Sequence, residues 1–517
     1  MSTKFITAQE VPNLISDNDI VGIEGFIGSG VAEEIFQEIG KYYDNNNSPK
    51  NLTLLYSAGI GDGIDRGINL IAKENLLKRV IAGHWGLSPK LQPLVSENKI
   101  EAYNFPQGVL AQMFREIASG KDFLFSPVGL GTFVDPDISG GKLNELTTEN
   151  LIEKITFHDK ELLAYSLIKP NIAILRGTFA DEKGNISFDE EVLTLGATSL
   201  ATAVKNNGGT VIVQVKRKVK AGSLNPKLVK IPSLLVDYVV ECSEEINHMQ
   251  TYNTSYNADF IQSNVIKNAK NEITPLNERK IIARRSALLI PRDAKIVNYG
   301  IGVPEVISSV LKEEGINEKY TTTIEPGSFG GIPQGGMDFG ATVAPDAVID
   351  QAYMFDFYDG GGIDIAFLGL AECDKDGNIN VSKFGPKIAG CGGFINITQN
   401  TKNVVFCGTF TAGGLKTSIE NGQLKIKNEG KKSKFVDSVE QITFSGKTAI
   451  KNGQNVYYVT ERAVFKLTNY GVELMEIAPG INIKKDILAH MSFEPCISKE
   501  IKTMDCSIFQ EKKMNLK

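Results

Sequence analysis

The sequence predicts an α/β protein built from two pseudo-repeated open domains, each with a mainly parallel sheet. Three observations carry that prediction. Short β-branched apolar runs alternate with helix-length segments, the rhythm of βαβ units. Glycines gather where those runs end, as tight strand-to-helix turns require. Two ordered motifs also recur in both halves of the 517-residue chain.

In chain order, the first half offers strand-like runs at Ile20–Glu24, Leu52–Tyr56, Ile172–Leu175, Thr210–Val215 and Tyr238–Cys242. Helix-length segments such as Gly30–Gly40 and Glu191–Lys205 lie between them. Around residues 253–285 the composition turns polar, which reads as a domain end followed by a linker or linking helix. The rhythm restarts at Ile296–Tyr299, continues through Asp364–Leu368 and Asn403–Phe406, and fades after about residue 470. The expected division is therefore an N-terminal domain over 1–270, a linker over 271–285 and a C-terminal domain over 286–517.

The repeat is explicit. Gly28-Ser-Gly-Val-Ala-Glu33 matches Gly300-Ile-Gly-Val-Pro-Glu305, each just after a strand. Ile172–Ser187 matches Ile365–Asn380, down to a shared Gly-Asn-Ile. In this alignment Ser57-Ala-Gly faces Glu325-Pro-Gly, so the second copy alone supplies a carboxylate there. Two similar halves with one acid between them predict an active site at their interface.

Composition excludes several classes. A net charge of -6 argues against nucleic acid or an anionic membrane as a general partner. No apolar run approaches the length of a membrane span. The N-terminus lacks the pattern of a signal peptide. Six cysteines without a C-x-x-C point to thiols in a reducing, cytoplasmic setting.

The chemistry is placed at Glu325, where the Thr321–Ile324 run breaks into the turns of Gly327, Gly330, Gly331, Gly335 and Gly336. A glutamate is ionised at neutral pH and can attack an activated acyl group without a general base. Such attack needs donors for the developing oxyanion. Candidates are the amides of Gly392 and Gly393, the side chain of Asn380 and that of Gln107. Gly28 and Gly30, like Gly300 and Gly302, open helices whose N-termini favour an anion. Against each stands a plain reading as a turn or cap. The four histidines, His84, His158, His248 and His490, show no metal or triad spacing and read as packing or surface residues. Cys373, Cys391 and Cys407 read as buried small hydrophobes.

These residues together resemble a family I coenzyme A transferase, closest to the fused single-chain type acting on short-chain acyl-CoA, propionate or acetate. Besides the motifs above, the marks are Phe105-Pro-Gln-Gly-Val109, Phe125-Ser-Pro-Val-Gly-Leu-Gly-Thr132, Glu325-Pro-Gly-Ser-Phe-Gly-Gly331, Asp356-Phe-Tyr-Asp-Gly-Gly-Gly362, Gly377-Asn-Ile-Asn-Val-Ser-Lys-Phe384 and Cys407-Gly-Thr-Phe-Thr-Ala-Gly-Gly414. They span both halves. Pro326 departs from the family's usual small residue after the glutamate.

The resemblance implies that Glu325 is the nucleophile of a ping-pong transfer of coenzyme A between an acyl-CoA and a free acid, through a glutamyl–CoA thioester. It implies Gly392 and Gly393 at the oxyanion, and adds Gly408 and Gly413 to the two helix-opening glycine pairs as contacts for coenzyme A. Coenzyme A is then substrate and covalent intermediate, with no permanently bound cofactor and no metal. Partners are acyl-CoA and small carboxylic acids, and a homo-oligomer, tetramer or dimer, is expected. The competing classes are an acyl-CoA hydrolase and a non-catalytic acyl or sugar-phosphate sensor.

Overall fold

The computed structural model describes residues 3–263 and 274–516. Residues 264–270 of the expected first domain and 271–273 of the expected linker lie outside the described residues.

The first sheet uses Lys4–Ile6 (β1), Ile20–Ile23 (β2), Leu52–Tyr56 (β3), Leu77–Ala82 (β4), Glu101–Asn104 (β5), Ile172–Asp181 (β6), Thr210–Val219 (β7) and Tyr238–Glu241 (β8). Its order is β1-β8-β7-β6-β2-β3-β4-β5, parallel along that path. In register, Val21 of β2 faces Leu54 of β3 and Ile172 of β6. The apolar runs are continuous because both faces of the sheet are covered. Leu54 and Tyr56 point into a core with Ile35, Phe36 and Ile39 of the Glu33–Asn46 helix (α1). Leu55 points the other way, among Leu110 and Phe114 of the Gln107–Ala118 helix (α2) and Leu200 and Val204 of the Ala197–Asn206 helix (α3). Each such side chain, fully buried, stabilises the fold by about 1.5–3 kcal/mol.

Both expected helices start later than the sequence reading. Gly30 sits at φ 71, a left-handed conformation that a helix cannot contain, so α1 begins at Glu33. Leu195 likewise lies at φ 52, and α3 begins two residues beyond it.

The second sheet uses Ile296–Tyr299 (β9), Thr321–Ile324 (β10), Ile365–Gly369 (β11), Asn403–Cys407 (β12), Asn455–Val459 (β13), Ala463–Thr468 (β14), Gly471–Ile477 (β15) and Cys496–Thr503 (β16). These eight run in the order β10-β9-β11-β12-β13-β14-β15-β16. The series β13-β12-β11-β9-β10 repeats the series β8-β7-β6-β2-β3 of the first sheet, all parallel. The strand that ends at Ser57 and the one that ends at Glu325 thus hold equivalent places. The sheet does not stop near residue 470. β14 and β15 continue it antiparallel, and β16 adds to β15 in parallel. β15 alternates and β16 is largely exposed, so no continuous apolar run announces the two strands beyond residue 470.

The described part of the expected linker contains a helix, Glu278–Ala287 (α4), with Ile281, Ile282 and Ala283 buried. Contact grouping cuts across chain order. One compact unit holds the described residues up to 263 together with Ile324–Asp356 and Phe384–Asn396. The other holds the rest, from 274 to Thr323, Phe357–Lys383 and Ile397 onward. Among the described residues no helix is long and apolar enough to cross a membrane.

Candidate active site

Glu325, Gln107, Gly392 and Gly393 all fall in the first compact unit. The framework is the carboxyl edge of its parallel sheet, where β2, β3, β4 and β5 run into Glu24, Ser57, Gly83 and the turn before Gln107. Ligand sites in open α/β sheets form at this edge.

Glu325 opens the turn that follows β10. Gly327 donates its N–H to the Ile324 carbonyl at 3.0 Å, and its own carbonyl accepts from Ile349 N–H at 3.0 Å. Gly327 lies at φ 134, and a Cβ there would stand 2.0 Å from the Ile349 carbonyl oxygen, so glycine is required. Two residues on, Gln351 donates its backbone N–H to Leu195 O at 3.0 Å, and its side-chain oxygen accepts the Ser57 hydroxyl at 2.7 Å. The nucleophile candidate is therefore tied, through residues 349–351, to the end of β3.

The glycine loop 389–393 is fastened to the same edge. Ala389 O accepts from the N–H groups of Trp85 (2.7 Å) and Gly86 (3.0 Å). Asn104 locks the next step: its Nδ2 donates to Ala82 O and Gly83 O, and its Oδ1 accepts Cys391 N–H at 2.9 Å. Gly392 donates its N–H to Gly83 O at 2.7 Å, and its carbonyl accepts Gln107 N–H at 3.0 Å. This corrects the expectation for Gly392, whose amide is spent on the fold and cannot serve an oxyanion. Gly393 is buried, and its N–H makes no backbone hydrogen bond among the described residues. The Gln107 side chain lies alongside: its Nε2 is buried without a hydrogen-bond partner, and its Oε1 would be 3.7 Å from a Cβ at Gly392. Structure thus brings Gln107 and Gly393 together.

Electrostatics single out three groups. Glu325 is half-buried, and burial pushes its carboxyl up to about 6, offset in part by its own backbone amide. Glu24 at the end of β2 is 2% exposed, and neither carboxyl oxygen closes a hydrogen bond. Burial pushes it up to about 8, with the Gly196 amide opposing and the Asp350 charge adding. His84, two residues past β4, is held down to about 4 by burial, so its imidazole is neutral at pH 7. Sequence reasoning missed Glu24 and set His84 aside. A lone glutamate after a strand and a lone histidine carry no spacing signal. Burial pushes the Cys391 thiol up, so it is an inert packing residue as expected.

Other expected residues are placed elsewhere. Asn380 belongs to the second unit, and its Nδ2 hydrogens go to Glu372 Oε2 (2.8 Å) and Lys383 O (2.7 Å). Its Oδ1 accepts from Ser382 N–H and Lys383 N–H. With both donors used in its own turn it has none for an oxyanion, which corrects that expectation. Gly28 and Gly30 are packed shut: added Cβ atoms would meet the Tyr252 ring at 2.5 Å and Leu195 Cδ1 at 2.7 Å. Packing accounts for both glycines without a ligand. In the second unit, Gly300 continues the sheet by donating to Phe367 O, whereas Gly302 has φ 91 and open space around it. Gly408 donates to Val459 O and stands close to Lys434 Nζ; Gly413 has φ 78 and accepts Lys431 N–H. A separate cavity of about 180 Å³ is lined by Lys216, Arg217, Cys242, Glu244, Glu245 and His248. Its lysine and thiol are already engaged by Glu190 and Glu34, and its imidazole Nδ1 lies 3.3 Å from Gln214 Nε2.

Comparison with known proteins places this geometry. Residues 5–242 match the family model described as Coenzyme A transferase. The chain is 44% identical over 507 residues to Acetate CoA-transferase YdiF of Escherichia coli (strain K12), covering 98% of this chain and 94% of that one. It is 45% identical over 514 residues to Caffeate CoA-transferase of Acetobacterium woodii, covering 98% of each. The solved structure of acyl-CoA transferase YdiF from E. coli O157:H7, a thioester complex with CoA, superimposes with a TM-score of 0.93 at 42% identity, over 100% of this chain and 98% of that one.

Proposed function

The chain belongs to the coenzyme A transferase family and is a CoA-transferase; on that premise we propose that it moves coenzyme A between short-chain acyl-CoA and a free carboxylic acid through a glutamyl–CoA thioester on Glu325. The observation that carries the reading is the state of Glu325: one carboxyl at a strand end, half-buried, with no hydrogen bond from another residue among those described. A carboxylate so placed is poorly solvated and reactive, yet still ionised in most molecules at pH 7.

The steps balance without metal or ATP. A Glu325 oxygen attacks the thioester carbonyl; the C–S bond breaks, giving an acyl–glutamyl anhydride and CoA thiolate. The thiolate attacks the Glu325 carbonyl of the anhydride, releasing the donor acid as a carboxylate and leaving glutamyl–CoA. An acceptor carboxylate then attacks that thioester, and the sequence runs in reverse. Gly393 N–H and Gln107 Nε2 are the donors proposed for the oxyanion that appears on each carbonyl. Binding energy from the remote part of coenzyme A is available to lower the barrier. Acetate, propionate and butyrate are the acids proposed. The thioester complex of the YdiF relative supports the covalent step, because coenzyme A is held as a thioester there.

The test is intact mass after mixing with acetyl-CoA, with borohydride trapping, on wild type and Glu325→Ala. A CoA-sized adduct, or its reduction product, is expected on wild type alone. Turnover in the variant should fall about 10⁴-fold or more, the scale of removing a nucleophile. CoA release without adduct or acceptor acid would instead identify a hydrolase.

A further inference from the structure

His84 is unused by the mechanism above, yet its surroundings are specific. The ring fills a space left by three glycines on three segments. A Cβ at Gly59 would stand 2.6 Å from its Nδ1, one at Gly86 3.5 Å from its Nε2, and one at Gly392 3.8 Å from its Cδ2. Its backbone lies beneath the glycine loop, where a Cβ at Gly390 would meet His84 Cα at 2.9 Å. Among the described residues no hydrogen bond to either ring nitrogen is present, and Nδ1 is sealed from solvent.

Tautomer follows from this burial. A neutral imidazole carries one N–H. On Nδ1 the proton would be buried with no acceptor, whereas on Nε2 it reaches the open edge of the ring. The residue is nevertheless part-exposed, so the open edge of the ring is the one bearing Nε2. That edge lies between the carbons facing Gly86 and Gly392, and Gln107 Oε1 also faces Gly392. Gln107 Oε1 and His84 Cδ2 flank one point of the glycine loop, 3.7 and 3.8 Å from a Cβ at Gly392, and Gln107 Nε2 is buried with no partner among the described residues.

We propose that His84 is a further catalytic residue, donating from Nε2–H to the carbonyl oxygen of the acyl-CoA or of the glutamyl thioester as negative charge develops there. The inference rests on the transferase reading and on Glu325 as nucleophile. Neutrality is what suits it to the task. An imidazolium would hand its proton to the departing CoA thiolate and remove the nucleophile that the next step needs. A neutral ring donates the hydrogen bond and keeps its proton, so the thiolate remains available.

Two polar substitutions test this without depending on how an apolar one folds. In His84→Gln the side-chain amide reaches about as far as Nε2; in His84→Asn it reaches only as far as Nδ1. The proposal expects His84→Asn to lower kcat about 10²-fold with KM for acetyl-CoA nearly unchanged, the scale of losing one oxyanion donor. It expects His84→Gln to recover at least tenfold of that loss, with melting temperatures of both variants close to wild type. Equal kcat in the two variants, or His84→Asn within threefold of wild type, overturns it. Adduct formation keeps this separate from the underlying reading. If wild type forms no glutamyl–CoA, the nucleophile assignment fails. If wild type forms it and both variants form it at the wild-type rate, His84 alone is ruled out.

Discussion

Ser57 and Glu325 end equivalent strands of the repeated fold, β3 beside β2 and β10 beside β9, and each is followed two residues later by a glycine. Ser57 is buried, and its hydroxyl is spent on Gln351. Glu325 is half-buried, with its carboxyl lifted to about 6 and no other described residue hydrogen-bonded to it. One backbone position, offered twice, thus carries a hydrogen-bonded hydroxyl in one copy and the proposed nucleophile in the other. The difference lies in hydrogen bonding. A satisfied hydroxyl at a strand end holds a neighbouring strip in place, whereas an unsatisfied carboxylate there is available to an electrophile.

Three experiments can break or sharpen this contrast. The largest effect is on rate. As the proposed nucleophile Glu325 must be ionised, and burial has raised its pKa, so kcat/KM should fall about tenfold per pH unit below about 6 rather than below about 4.5. A pH profile that stays flat to pH 5 would put Glu325 on the same footing as an ordinary solvated carboxylate and erase the contrast.

The second concerns Glu24, also at a strand end and also without a hydrogen bond, but sealed. Its folded-state pKa is raised to about 8, so the folded protein binds the proton more tightly than the unfolded chain. Stability from this group is complete below about pH 4.5 and is lost as pH rises through about 8. Glu24→Gln removes that loss. Relative to wild type it should gain about 4 kcal/mol between pH 5 and pH 9, measured by denaturant unfolding at both pH values. Parallel stability curves for the two proteins would show that Glu24 ionises freely.

The smallest effect is Ser57→Ala. Gln351 Nε2 already lacks a partner, and the variant would strip its Oε1 as well. A loss of about 1–2 kcal/mol in stability is expected, with kcat reduced less than fivefold. A loss of activity as deep as that of Glu325→Ala would make Ser57 part of the chemistry rather than of its support.

Much of the fold was legible because it is written in local pattern. Strand runs such as Leu52–Tyr56, the helix-opening glycines and the repeat all depend on residues near one another in sequence. Glu325 was legible for the same reason: one acid ends a β-branched run and precedes glycines. Gln107 was readable as the first residue of a helix after a turn. His84 was not, since nothing beside it in sequence shows that Gly59, Gly86 and Gly392 would leave a socket for its ring. The amide of Gly392 was misread because its partner, Gly83 O, lies in the other half of the chain. Asn380 was misread because its amide is used by Glu372 and Lys383 in its own turn.

The sequence by itself determined the α/β class, the two-fold repetition and the family, and it singled out the carboxylate proposed here as nucleophile. These follow from periodicity and short motifs, in which the physics acts over a few residues. Tertiary structure decided which donors are free, which glycines are filled by the protein's own side chains, and which carboxyl and imidazole groups titrate abnormally. Those properties depend on desolvation and on hydrogen-bond partners that are distant in sequence, and they exist only once the chain has packed.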